Sequence, residues 1–292
     1  MDISEIILRD PFILVHNKKY YLYGSRMHTE MTRRTGEGQG GFDVYQSHDL
    51  CEWSGPKQIL GKEGFFKDTF DFWAPEVHEY KGRFYMFATM KDCGHGDRAC
   101  YILVSDTPDG SFELHSDGAV TPKGWECLDG TLYIEDGVPY MVFCREWRQV
   151  CDGEMYGVEL SEDLKKAVGE PKLLYRASES KWAGPINNRT DAYVTDGPFL
   201  FKEDGVLYSI WSSFKPDNKY AVGIACSKTG KIFGEWEHIP EMLFCEDGGH
   251  GMIFKTLEGE RKIVLHTPNN ELNAHPTVYD FVRNGIGEYV CR

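Results

Sequence analysis

Positive charge is what this chain most lacks. Its 32 Lys and Arg face 46 Asp and Glu, a formal net charge of −14, and such a surface repels a phosphate backbone or an anionic lipid headgroup. Nucleic acid and membrane are therefore not expected partners. No apolar run approaches the roughly 20 residues that span a bilayer. The opening stretch MDISEIILRDPFILVHNKKYYLYGS carries neither a basic leader nor a small-residue cleavage site, which predicts a cytoplasmic location. Paired cysteine spacings are missing as well: the nine cysteines are an odd number with no CxxC among them, so reduced thiols are expected in place of a disulfide framework or a zinc site. Cys93, His95, Asp97 and Cys100 share the stretch DCGHGDRAC, which reads as a polar surface loop more readily than as a metal loop. Linker-like stretches and composition breaks are absent too. With 41% apolar and 27% charged residues, residues 1–292 are expected to form one compact domain, as a monomer or small homo-oligomer.

What is present is a repeat. A small residue or Pro, three or four apolar residues, a polar turn and an aromatic-rich strand recur in DPFILVHNKKYYLYGS, APEVHEYKGRFYMFATM, DGTLYIEDGVPYMVFCREW and DGPFLFKEDGVLYSIWSSF, and more loosely in HGMIFKTLEGERKIVLHTP. In the first four a Tyr follows the Pro or Gly at a fixed distance: Tyr21 after Pro11, Tyr85 after Pro75, Tyr140 after Gly130 and Tyr208 after Pro198. Each copy predicts a hairpin, and a second strand pair follows it. Four strands recurring five times predict an all-β, five-bladed β-propeller, with HPTVYDFVRNGIGEYVCR as the outer strands of the last blade and SEIIL helping to close the ring.

In a propeller the first strand of each blade begins at the axis, so the residues before Pro or Gly converge on one well: Asp10, Ala74, Asp129, Gly197 with Asp196 just ahead of it, and His250. An Asp beside Gly or Pro is usually a turn former, and Asp136 and Asp204 are such turns. Asp10, Asp129 and Asp196 stand at the opposite end of the hairpin, where a set of acids has no turn to make. Second strands return to the same rim near Arg145, Glu146, Trp147 and His266, and Glu154 enters the next strand close by. Two or three carboxylates around a concave well suit glycoside hydrolysis, in which one acid activates water and another protonates the leaving oxygen. Flat apolar walls for a sugar ring would come from Trp73, Trp147 and Trp211, with Phe72 and Phe214 beside them. Trp53 and Trp236 read as packing between blades.

Together RDPFILVHNKKYYLYGS, FWAPEVHEYKGRFYMFAT, LDGTLYIEDGVPYMVF, DGPFLFKEDGVLYSIWSSF and GGHGMIFKTLEGERKIVLHTPN resemble glycoside hydrolase family 43 from Asp10 to Asn269. The resemblance implies a five-bladed propeller that inverts configuration while cleaving arabinofuranosyl or xylosyl linkages. It implies Asp10 as general base and Asp129 as the residue that tunes the acid's pKa and orients it. The position of the general acid falls on Asp196, where the family usually has Glu. An Asp loses about 1.5 Å of reach, and a misplacement of that size matters in proton transfer. Glu154 and Glu146 are the alternative acids. His250 matches a histidine that contacts calcium through water in some members, although calcium prefers oxygen ligands; no cofactor is otherwise implied. Arg145, Trp73, Trp147, Trp211 and His266 are the expected sugar contacts. The expected activity is α-L-arabinofuranosidase on small oligosaccharides, with β-D-xylosidase and a non-catalytic sugar-binding propeller as alternatives.

Overall fold

Five antiparallel four-stranded sheets follow one another along the chain without exchange of strands. The computed structural model describes residues 1–26, 40–92, 96–186, 189–270, 272–284 and 288–292; Cys93 and His95 lie outside them. Blade one is β1 (Leu8–His16), β2 (Lys19–Arg26), β3 (Phe42–Ser47) and β4 (Trp53–Leu60); blade two is β5 (Thr69–Tyr80), β6 (Arg83–Asp92), β7 (Arg98–Ser105) and β8 (Glu113–Leu114). Blade three is β9 (Cys127–Glu135), β10 (Val138–Arg145), β11 (Glu154–Leu160) and β12 (Ala167–Arg176); blade four is β13 (Asp196–Glu203), β14 (Val206–Phe214), β15 (Tyr220–Ser227) and β16 (Trp236–His238). The last blade is β17 (Gly249–Lys255), β18 (Arg261–Thr267), β19 (His275–Arg283) and β20 (Tyr289–Cys291). The expected five-bladed propeller is therefore the fold.

Local chemistry explains the hairpins. Asn17-Lys18, Lys81-Gly82, Asp136-Gly137 and Asp204-Gly205 all hold two consecutive positive φ angles, the two-residue turn whose twist matches the strands it joins. Apolar side chains on both faces of the inner strands then pack blade against blade. One cluster joins blades one and two, with Met252, Phe254 and Val264 added from blade five. Others join blades two and three, three and four, and four and five. The N-terminus helps close the ring, as expected of SEIIL, but without lending a strand: the Leu8 amide donates to the Ala274 carbonyl at 3.0 Å. Among the described residues no helix is long and apolar enough to cross a membrane.

One feature of every inner strand positions the site. β1, β5, β9, β13 and β17 each shift register near their axial end. At that bulge sits one residue in left-handed backbone: Asp10 (φ 53°), Ala74 (45°), Asp129 (57°), Gly197 (52°) and His250 (47°). Bulges re-aim side chains, and backbone in this region is tolerated where the surroundings fix it. The surroundings here are hydroxyls of the preceding blade. Ala74 donates its amide to Ser25 Oγ (2.7 Å), Asp129 to Thr89 Oγ1 (2.8 Å) and His250 to Ser212 Oγ (2.8 Å). Asp10 donates to His266 Nδ1 at 3.2 Å.

Candidate active site

The five bulge residues ring the axis, and three of them, Asp10, Asp129 and His250, line a 620 Å³ cavity. Asp196 is not a ring member in register. It pairs with Ser212 as Arg9 pairs with Ser25, Trp73 with Thr89 and Leu128 with Cys144, one residue ahead of the bulge. Blade four therefore places Gly197 on the ring and Asp196 on its wall. Where blades one, two and four offer a hydroxyl to the next bulge, blade three has Cys144. The Gly197 amide turns to Asp129 Oδ2 instead, at 2.9 Å, so Asp129 fixes the backbone beside Asp196.

Gly197 also has no room for a side chain. A Cβ would fall 2.8 Å from Cγ and Cδ2 of the His250 ring and 3.0 Å from its Cα, on a backbone at φ +52°. Gly197→Ala is expected to lower the free energy of unfolding by about 2 kcal/mol or more, measured by urea denaturation; an unchanged midpoint would show that the ring can relax.

The acids differ in charge state because their surroundings differ. Burial pushes Asp10 up, but His250 and Arg9 outweigh it together with the Ser25 hydroxyl, which donates to Oδ2 at 2.5 Å, so that Asp10 falls to about 2. His250 Nδ1 lies 3.3 Å from Asp10 Oδ1 and 3.7 Å from Asp129 Oδ2; burial opposes its charge, yet the surrounding carboxylates raise its pKa. Asp129 rises to about 7, first through burial and then through the charges of Asp196 and Asp10, against the pull of His250. Asp196 is raised by burial although the Tyr220 hydroxyl donates to its Oδ2 at 2.8 Å. Glu146 rises to about 7 through burial and then the charge of Asp196. The well thus holds Asp10 with a lowered pKa beside Asp129 and Glu146, both raised to about 7.

Several expected contacts are placed elsewhere. His266 is fully buried, its pKa lowered to about 3 mainly by desolvation. It is neutral, accepts the Asp10 amide on Nδ1 and reaches Asn269 Oδ1 with Nε2 at 3.2 Å. It lies outside the cavity lining, and its 3.5 Å approach to Asp10 Oδ1 is not an ion pair. Trp211 is fully buried between Tyr175 and Trp182, because in an alternating strand the neighbour of ring-facing Ser212 faces blade three. Arg145 lies over the Trp125 ring at 4.1 Å and contacts Glu154 at 3.5 Å, outside the cavity lining. Glu154 also lies outside the cavity lining. Arg176 at 2.9 Å, Arg145 and the Tyr156 hydroxyl at 3.1 Å occupy its oxygens away from the cavity.

Trp73, Trp147, Phe214 and Glu146 do line the well. Phe72 is packed instead against Phe42 and Phe66. Arginines that no motif marks join them on the wall. Arg98 lies over Trp73 at 4.5 Å and bonds Asp71 at 3.0 Å; Arg148 and Arg189 stand 5.6 and 5.5 Å from the Trp147 ring. These residues sit outside the repeat, so no periodicity marks them. Tyr220, at the start of β15, also lines the cavity, ahead of the apolar run that marks that strand.

His250 does not fit a directly bound cation. Its Nδ1 lies beside Asp10 Oδ1 and Asp129 Oδ2, so that nitrogen is already engaged by acidic side chains. Among the described residues no three or more His, Cys, Asp or Glu are grouped to hold a metal, and no step is derived through one.

A water-activating carboxylate and proton-holding carboxyls, facing one another over a sugar-sized well on a propeller axis, are the equipment of a glycoside hydrolase. The chain belongs to the glycosyl hydrolases family 43, whose family model matches residues 3–284. It is 41% identical to a solved endo-arabinase from Bacteroides thetaiotaomicron, with a TM-score of 0.88 and 98% of each chain covered. A xylosidase/arabinosidase of Butyrivibrio fibrisolvens is 26% identical over 210 residues, 68% of this chain and 37% of that protein. An extracellular exo-α-(1→5)-L-arabinofuranosidase of Cellvibrio japonicus is 21% identical over 246 residues, 77% of this chain and 65% of the other. This chain thus spans well under two thirds of some curated relatives it matches, as little as 37% of one.

Proposed function

We propose that this chain hydrolyses α-L-arabinofuranosyl linkages with inversion, removing terminal residues from small plant-derived oligosaccharides. The observation that carries the reaction type is the contrast between Asp10, held near 2, and the carboxyls opposite it, held near 7. Asp10 takes a proton from water as the water oxygen bonds to the anomeric carbon. The bond from that carbon to the leaving oxygen breaks, and a carboxyl on the facing wall donates a proton to that oxygen. Water arrives on the face opposite the leaving group, so the product has the inverted configuration. Trp73 and Trp147 supply flat walls for the C–H faces of the sugar.

Arabinose is favoured over xylose because arabinan-active proteins recur among the relatives, including the one at 41% identity. β-D-xylosidase is the second reading, supported by the xylosidase/arabinosidase match. Aryl α-L-arabinofuranoside and aryl β-D-xyloside, assayed side by side, separate the two; hydrolysis of the xyloside alone overturns the proposal. Digestion of linear arabinan tests the mode of attack. Monomeric arabinose as the first product supports exo action, and longer oligomers would assign an endo action instead. A non-catalytic sugar-binding propeller would bind these ligands and release nothing.

A further inference from the structure

Blade four carries the shorter acid, and the cavity holds a longer one that the repeat does not account for. Glu146 follows the last residue of β10 and begins the helical turn α1 (Trp147–Val150). Its main chain is anchored on both sides: the amide donates to the Glu126 carbonyl at 2.8 Å, and the carbonyl accepts from the Gln149 and Val150 amides. Its carboxyl does not cap the turn it begins. The side chain lies in the cavity wall with Asp196, Asp129 and Asp10. The residue is only 7% exposed, and Oε2 is buried with no hydrogen-bond partner. A buried polar atom without a partner costs free energy and calls for an explanation. Arg148 Nε, at 3.6 Å, is too far to satisfy it.

We propose that Glu146 of blade three, in place of Asp196 of blade four, delivers the proton to the leaving-group oxygen in this chain. The inference rests on the glycosidase reading above. Glu146 is one methylene longer than Asp196, and rotation of its buried, unbonded carboxyl toward the well presents the proton to a glycosidic oxygen there. In the transition state the Oε–H bond breaks as the leaving oxygen takes the proton, and the Glu146 carboxylate regains a proton from solvent after product departs. Asp196 then acts through Glu146 as a positioning residue. The Tyr220 hydroxyl favours charge on Asp196, and that charge helps hold the proton on Glu146. The groups that face Glu146 are Asp196 on β13, Arg98 on β7, Glu126 before β9 and Arg148 on α1; both arginines oppose the upward shift, and burial and Asp196 outweigh them.

Leaving-group dependence distinguishes a proton donor from a positioning residue. Glu146→Gln is expected to lower kcat on an alkyl or disaccharide linkage by about 10²–10⁴-fold and to affect a dinitrophenyl glycoside, whose leaving group needs no proton, far less. It should also remove the fall in kcat/KM above about pH 7 that Glu146 sets in the parent. Asp196→Asn should move that limb to lower pH and keep it. Asp196→Glu should reduce turnover by crowding Tyr220; a gain in turnover would show that the blade-four acid donates and merely lacks reach. Leaving-group-selective loss in Asp196→Asn, or equal loss on both substrates in Glu146→Gln with an unchanged melting temperature, overturns the proposal. If Glu146→Gln does not fold, the Asp196→Asn and Asp196→Glu pair decides alone. A parent chain inactive on every glycoside, or an Asp10→Asn variant as active as the parent, would mark failure of the glycosidase reading instead.

Discussion

Asp10→Asn is expected to cut kcat by about 10²–10⁴-fold on every substrate, whatever its leaving group, because the general base is needed each time water attacks. The substitution is unusually clean at this position. Asn tolerates left-handed backbone better than most residues, so the φ of 53° is kept, and its carbonyl can still accept the Ser25 hydroxyl. Only the charge is lost. That charge contributes stability, with a sign that can be stated. Its folded pKa of about 2 lies below the ordinary Asp value, so the contribution is present above about pH 4 and is lost as pH falls through about 2. At neutral pH the variant should therefore be less stable by roughly 1–3 kcal/mol, with a fall in melting temperature of several degrees and no change in fold. Turnover within tenfold of the parent would remove Asp10 from the role of base. In the parent, NMR should find the inverted anomer first; accumulation of the retained anomer would contradict that role equally.

Asp129→Asn should separate stability from activity. Asp129 has the opposite shift, upward to about 7 through burial and the neighbouring acids. A carboxyl whose folded pKa is raised stabilises the protein fully below its unfolded pKa, near 4. That contribution disappears as pH rises through 7, where a buried carboxylate must face Asp10 and Asp196. Asn keeps an acceptor for the Gly197 amide and carries no charge. The variant is expected to be more stable than the parent by on the order of 2 kcal/mol at pH 8 and to gain nothing at pH 4, as read by urea denaturation at both values. Its turnover should fall by about a hundredfold, because the wall beside Asp196 and the His250 bridge both lose their tuning. A stability gain independent of pH would mean that Asp129 does not hold its proton in the folded state.

Much of this site is legible in the repeat. The bulge that aims each axial residue recurs at one place in five strands, so a sequence offset that returns with every hairpin marks Asp10, Asp129 and His250 without knowledge of the fold. Asp196 shows the limit of that logic. It is one residue out of register, and a one-residue offset in a strand is the difference between ring and wall. Trp211 shows it again, since it precedes a residue that faces the next blade and so must itself face the previous one.

The sequence by itself determined the blade count, the place of the hairpins and the convergence of acids at the axis, because all three follow from local backbone preferences repeated along the chain. Only the tertiary structure decided which rim residues line the well. Glu146 lines the well with no hydrogen bond to its Oε2, while Glu154, eight residues on, is held by arginines on β10 and β12; Trp147 is on the wall while Trp211 is in the core. Those outcomes depend on side-chain contacts made by strand pairing within a blade and by packing between blades, and burial and pairing there set each carboxyl's charge as well as its place.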